Sequence, residues 1–248
     1  MNQTLDLIKN RKSVRIYTEQ PISAEDKRTI LDAAIQAPSA GNMTMFTILD
    51  ITDPELKAKL SESCDHQPFI ANAPMVLVFC ADVKRWMDVF KKYLPEVRNP
   101  AEGDLLLAQQ DTLIAAQNAA VAAEALGIGT CYIGDIIENF EYHRQLLNLP
   151  DYVVPTSMLC FGYPTQQQID RPKPPRFTIE SIVHENGYDQ EKNDMAEMLK
   201  ARHNFTEEAV ADWVQKFCKR KWNSEFSREM SRSSAEIIKY WTKDKEEL

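Results

Sequence analysis

Apolar positions recur along this chain with two periods, and the changes between them mark out its elements. From Thr4 to Asn10, Leu5 and Ile8 stand three apart, which predicts a short helix. Ser23 is an N-cap followed by the acidic pair Glu25-Asp26. Ile30, Leu31, Ala34 and Ile35 then share one face, so a helix is predicted from Ala24 to Gln36. Residues 37–42 (Ala-Pro-Ser-Ala-Gly-Asn) have loop composition. Met45 to Ile51 reads as a strand, and Asp53-Pro54 opens a helix to Ser63 with proline in its first position. Met75 to Ala81 is a continuous apolar run of strand length, predicted to be buried on both faces. A helix from Val83 to Tyr93 and a loop from Leu94 to Gly103 follow.

Asp104 to Leu126 reads as the longest helix. Its stretch from Ala115 to Ala123 consists almost entirely of small residues, which let another element approach closely, and Gly127 ends it. Cys131 to Ile133 is predicted as a short strand, Asn139 to Asn148 as a helix, and Val153 to Phe161 as a strand. Gly162-Tyr163-Pro164 opens a polar loop that runs into a proline-dense basic segment. Ile179 to Val183 is a short helical or extended piece. After Tyr188 no strand signal appears, although helical patterns recur at Trp213/Phe217 and Ile237/Ile238/Trp241. We therefore expect a body of residues 1–188 and a helical extension, 189–248, packing on the body or on a partner subunit. Few, uneven strands interleaved with helices imply an α+β fold whose mixed sheet carries helices, not a barrel.

Composition narrows the function classes. Seven glycines in 248 residues exclude collagenous and low-complexity chains. A net charge of −8 excludes a general binder of nucleic acid or of anionic membrane, so any anion site must be a local basic cluster. Five scattered cysteines without a C-x-x-C pair form neither a disulfide framework nor a metal site, and the four histidines are isolated. The polar N-terminus and the lack of an apolar run of about 18 residues lead us to expect a reduced, cytoplasmic location.

Two basic elements stand out against this acidic background. In Arg11-Lys12-Ser13-Val14-Arg15, alternate residues 11, 13 and 15 point the same way in an extended segment. That places two guanidiniums and a hydroxyl on one face, a compact phosphate clamp. The same pentapeptide also fits a solvated basic turn at a helix C-terminus. In Arg171-Pro172-Lys173-Pro174-Pro175-Arg176, prolines hold the chain extended and present the cations with little entropy left to lose; a rigid surface loop is the alternative. The glycines of 127–134 do not match the dinucleotide fingerprint, because the run follows a helix and its spacing is not G-x-G-x-x-G. They remain candidates for close approach of a flat ligand to backbone. No G-x-S-x-G nucleophile motif is present.

The basic pentapeptide, residues 37–42, Gly127 to Gly134, Cys160-Phe161-Gly162-Tyr163-Pro164 and Arg171 to Arg176 occur in that order. Together they resemble the FMN-dependent nitroreductase / flavin reductase family, in its oxygen-insensitive, NADPH-preferring branch. The Pro-basic run followed by Ile182-Val183-His184-Glu185 supports that branch. The resemblance covers residues 4–188 and implies a mixed central sheet flanked by helices, in an intertwined homodimer with FMN at the subunit interface. Carried over by residue, it implies that Arg11, Lys12, Ser13 and Arg15 bind FMN, joined by Arg171 and Lys173 near the phosphate. Cys131, Tyr132, Ile133 and Gly134 would lie along the isoalloxazine. Gln67 would face the ring, and Ser39 and Asn42 would come from the other subunit. Where the branch usually reads Lys-Pro-Arg, this chain has Arg171-Pro172-Lys173. In the extension, Lys219, Arg220, Lys221, Arg228 and Arg232 are candidates for the 2′-phosphate of NADPH.

The activity so implied is ping-pong two-electron transfer from NADPH or NADH through FMN to nitroaromatics, quinones or flavins. No catalytic side chain is implied, since the chemistry takes place on the flavin. The alternatives are a non-catalytic module that binds a phosphorylated ligand or a flavin, and a relative with one dedicated substrate, such as a dehydrogenase or dehalogenase.

Overall fold

The computed structural model describes residues 2–191 and 194–243. They fall into two compact units, Met1–Arg171 with Glu229–Leu248, and Pro172–Arg228.

In the first unit, α1 (Gln3–Asn10) and α2 (Ala24–Ile35) precede β1 (Phe46–Asp50). The Ser23 hydroxyl accepts from the Asp26 N–H at 2.9 Å, as the cap pattern predicted. Asp53 caps α3 (Pro54–Ser63) in the same way, and α4 (Pro68–Ala71) leads to β2 (Met75–Asp82). α5 (Lys84–Tyr93), α6 (Glu102–Ala125), β3 (Gly129–Ile133), α7 (Phe140–Leu146), β4 (Val153–Gly162) and α8 (Gln166–Asp170) follow. α6 begins two residues before the expected start because the Asp104 carboxylate accepts from the Ala101 N–H at 2.8 Å.

The four strands lie in the order β1-β2-β4-β3, and every neighbouring pair is antiparallel. Among the described residues one isolated bridge is parallel, Ser13 to Thr130, and it seats the basic pentapeptide on the β3 edge. β2 and β4 are buried along their whole length; the apolar run of β2 requires it, and in β4 Thr156 and Ser157 are buried together with their apolar neighbours. On one face of the sheet, Ala116, Ala119, Ala120 and Ala123 of α6 pack with Ile30 and Ala34 of α2 against Leu77, Phe79 and Phe161. The alanines are what allow this approach. On the other face, Leu60, Cys64 and Ile70 cover Val76, Val78, Cys131 and Cys160.

In the second unit, α9 (Ile179–Ile182), α10 (Met195–His203) and α11 (Glu207–Phe217) run into a π-helical turn, Cys218–Trp222. Its apolar centre is an aromatic group in which His203 stacks on Phe205 and Trp213 on Phe217. α12 (Glu225–Thr242) returns the chain to the first unit at Glu229. There Ile237 and Trp241 join a third cluster with Phe140, Tyr152 and Val154, and Trp241 is fully buried.

The polar loop expected after Pro164 is the short helix α8 instead. It has no apolar stripe, and tertiary hydrogen bonds hold it. α4 likewise carries too few residues for a periodic signal.

Candidate flavin site

Four cations of the first unit converge at the β3 edge. Arg11 ends α1, its N–H bonded to the Leu7 carbonyl at 2.9 Å. Its guanidinium donates to Thr130 Oγ1 at 2.9 Å and lies 5.5 Å from the centroid of the Tyr132 ring. The Val14 N–H donates to the Thr130 carbonyl at 2.9 Å, pinning the pentapeptide in extended form. Arg15 places its guanidinium 5.8 Å from the centroid of the Phe69 ring, at the end of a groove of about 770 Å³ lined also by Tyr17, Pro68 and Asn72. From the far end of the sequence, Arg171 donates to the Ser13 carbonyl, and Lys12 Nζ reaches the carbonyls of Ile169, at 2.6 Å, and Arg171.

Two glycines make this seating possible. A Cβ on Gly129 would lie 2.5 Å from Val14 Cγ2, and one on Gly162 would lie 2.5 Å from Cδ1 of Tyr17. At both positions the close approach is made by the chain's own N-terminal segment, and at Gly129 this corrects the expectation of a flat ligand.

Among the described residues, Arg11, Lys12, Arg15 and Arg171 form no ion pair. The Nε–H groups of Arg11 and Arg171 are buried without a hydrogen-bond partner. A buried unsatisfied donor costs about 1–3 kcal/mol, and more when charged. Two such donors in a cluster of cations that form no ion pair suit an anion, and a phosphate monoester offers several acceptor oxygens. The residues present thus fit FMN.

The other expected residues are placed as follows. Cys131 and Ile133 turn their side chains into the core under β3, where burial pushes the Cys131 thiol up. Tyr132 points the other way, its hydroxyl 3.2 Å from Gln117 Oε1, and burial raises its pKa to about 12. Gly134 follows β3 with no atom within 4 Å of a would-be Cβ. Gln67 precedes α4, and its amide nitrogen donates to the Cys64 carbonyl at 2.8 Å.

Ser39 and Asn42 stand elsewhere, in the turn leading to β1 at the opposite sheet edge. Three strand spacings, about 14 Å, separate the two edges. Asp111 of α6 braces that turn, accepting from the Ala40 N–H at 2.9 Å, and Gly41 and Asn42 take φ of 57° and 56° there. Lys173 belongs to the second unit, as do Lys219, Arg220 and Lys221 of the π-helical turn and Arg228. Arg232 belongs to the first unit. It is clamped between Glu141 (2.8 and 2.9 Å) and Glu229 (2.8 Å), and holds the Glu141 carboxyl down at about 2.

Sequence reasoning missed Thr130, Gln168 and Phe69. Gln168 and Phe69 have no motif around them, and Thr130 sits in the 127–134 run without standing out in it; only the tertiary contact to Arg11 or Arg15 gives each its meaning.

Residues 8–163 match the profile of the Nitroreductase family. An FMN reductase (NAD(P)H) of Bacillus subtilis is 32% identical over 191 residues, 76% of this chain and 75% of the relative. An oxygen-insensitive NADPH nitroreductase of Salmonella typhimurium is 35% identical over 189 residues, 76% of this chain and 75% of the relative. Among solved structures, the NADPH:FMN oxidoreductase of Vibrio harveyi complexed with NAD+ superimposes with a TM-score of 0.80 at 27% identity, covering 96% of this chain and 98% of that one. The profile spans well over half of the chain, the identities extend across three quarters of it, and the fold agrees along nearly its full length: the chain belongs to the Nitroreductase family.

Proposed function

We propose that this protein is an FMN-dependent NAD(P)H oxidoreductase that reduces nitroaromatics, quinones or flavins. The observation that carries the proposal is the pair of buried, unpaired Nε–H groups on Arg11 and Arg171, set in a cluster of cations that no carboxylate among the described residues neutralises. When bound, FMN supplies two-electron transfer between NAD(P)H and an acceptor in a ping-pong cycle. Arg11 and Arg171 would hold the phosphate and Ser13 would add a donor. Arg15 keeps a positive charge at the mouth of the groove beside Phe69, where it favours negative charge on a flat ligand. Backbone of residues 131–134 and the amide of Gln67 would line the ring, because the Cys131 and Ile133 side chains are committed to the core.

The opposite-edge position of Ser39 and Asn42 fits their supply to the flavin of a second copy. Exposed apolar residues of α6 (Leu106, Leu107, Leu113 and Ile114) offer a dimer face for such an arrangement. In this reading residues 1–188 form the FMN-binding body and 189–248 an extension that packs on the body or on the partner subunit. Lys219, Arg220, Lys221 and Arg228 are the proposed holders of the NADPH 2′-phosphate. Arg232 is left out, since its donors already face two carboxylates that would repel a phosphate. Among the described residues no helix is long and apolar enough to cross a membrane, and we propose a cytoplasmic location.

The test is anaerobic. Purified protein loaded with FMN and given NADPH should lose the flavin's visible absorption, and regain it on addition of a quinone. Protein that neither takes up FMN nor bleaches with NADPH would end the proposal.

A further inference from the structure

We propose that Lys12 and Gln168 are positioning residues of the anion site and not ligands of the anion. They lock α8 to the basic pentapeptide, so that Arg171 and Arg15 are delivered in fixed places. This rests on the FMN reading above, in which the anion is the flavin phosphate.

An ammonium offers three donors and no acceptor. Two of those of Lys12 go to the carbonyls of Ile169 and Arg171 at the C-terminal end of α8. Arg171 returns the contact by donating to the Ser13 carbonyl. Gln168 is 6% exposed, and its Oε1 accepts from the Arg15 N–H at 3.2 Å. Hydrogen bonds therefore run in both directions between residues 12–15 and 168–171. The segments lie more than 150 residues apart in sequence.

The chemistry divides the cations into two kinds. A compact ammonium suits converging carbonyls, whereas a planar guanidinium suits a phosphate. In agreement, Arg11 and Arg171 keep a buried Nε–H unpaired, while Lys12 is taken up by α8. Turning Lys12 toward a phosphate would leave the Ile169 and Arg171 carbonyls without their partner and release the residue that carries the Arg171 guanidinium.

A double-mutant cycle separates a latch from a ligand. FMN affinity is measured by quenching of flavin fluorescence in Lys12→Met, Arg171→Ala and the double variant. Each single change should weaken binding about tenfold or more, the range for a lost charge-assisted hydrogen bond. The double variant should bind within about threefold of Arg171→Ala, because Lys12 acts through Arg171. Losses that multiply would overturn the proposal, as would a Lys12→Met variant that binds like wild type.

A second measurement needs no flavin. In the flavin-free protein, Lys12→Gln should speed hydrogen exchange at the Ile169 and Arg171 amides, which close onto Thr165 and Gln167, by about tenfold. Unchanged exchange would refute the latch even if Lys12→Met failed to fold. Should wild type bind no FMN, the functional reading falls, and exchange alone still decides the role of Lys12.

Discussion

Gly129→Ala is the sharpest perturbation of the seat on which the site rests. The new methyl would lie 2.5 Å from Val14 Cγ2, 2.7 Å from Val14 Cβ and 3.1 Å from Val14 Cγ1. Carbon atoms pack best at about 3.5–4.0 Å, so roughly 1 Å must be found somewhere. Val14 cannot easily give it, being 4% exposed with its N–H bonded to the Thr130 carbonyl. β3 cannot retreat either, because Gly129 pairs with Gly162, whose own open side is filled by Tyr17. Overpacking of this kind costs about 1–3 kcal/mol. At about 2–4 °C per kcal/mol for a protein of this size, the melting midpoint should fall by about 2–12 °C. Relief by lifting the pentapeptide would break the Arg11–Thr130 contact, so FMN affinity should fall as well. Thermal denaturation of the flavin-free variant and fluorescence titration with FMN read the two effects separately. Adding Val14→Ala removes the contacts at 2.5 and 3.1 Å but leaves Cβ, so the double variant should be less destabilised than the sum of the singles. A Gly129→Ala protein that melts within 1 °C of wild type and binds FMN normally would refute the reasoning.

Three other outcomes are expected. Burial, and then Asp135, Asp65 and Glu229, push the Glu138 carboxyl up to about 7, above the roughly 4.3 of an unfolded chain. The folded state therefore holds this proton more tightly, and stability is lost as pH rises from about 4.3 through 7. Glu138→Gln should accordingly melt above wild type at pH 8 and show no such advantage near pH 4.5; equal shifts at both would contradict this. Trp241→Ala empties a fully buried site of the third cluster and should cost about 3–5 kcal/mol in chemical denaturation, and a loss under 1 kcal/mol would mean that α12 does not close that core. Replacing Lys219, Arg220 and Lys221 together by alanine should raise the KM for NADPH about tenfold and leave that for NADH unchanged, whereas equal changes would remove them from the proposed 2′-phosphate site.

Much of the architecture was legible in the residue pattern because it follows from local rules. The Ser23 and Asp53 caps, the unbroken apolar run from Met75 to Ala81 in β2, and the alanine stretch of α6 each state their structure within a few residues. The basic segment from Arg11 to Arg15 was legible as a run of charge. α8 was not, because its five residues carry no apolar period and depend on Lys12. Gln168 and Thr130 were invisible for the same reason. Their roles are set by partners more than a hundred residues away, and spacing along the chain carries no record of them.

By itself, then, the amino-acid sequence determined the elements, the order of the motifs and the presence of two cationic segments in an acidic chain. Backbone sterics, capping and burial of apolar faces act over one or two turns, and so they can be read from neighbouring residues. The tertiary structure alone decided which of those cations keep an unpaired N–H and which are consumed in holding the site together. It also decided that Gly129 and Gly162 make room for Val14 and Tyr17, and that Ser39 and Asn42 stand at the far edge of the sheet from the basic pentapeptide. These are matters of which surfaces meet, and packing settles them only when the whole chain is in place.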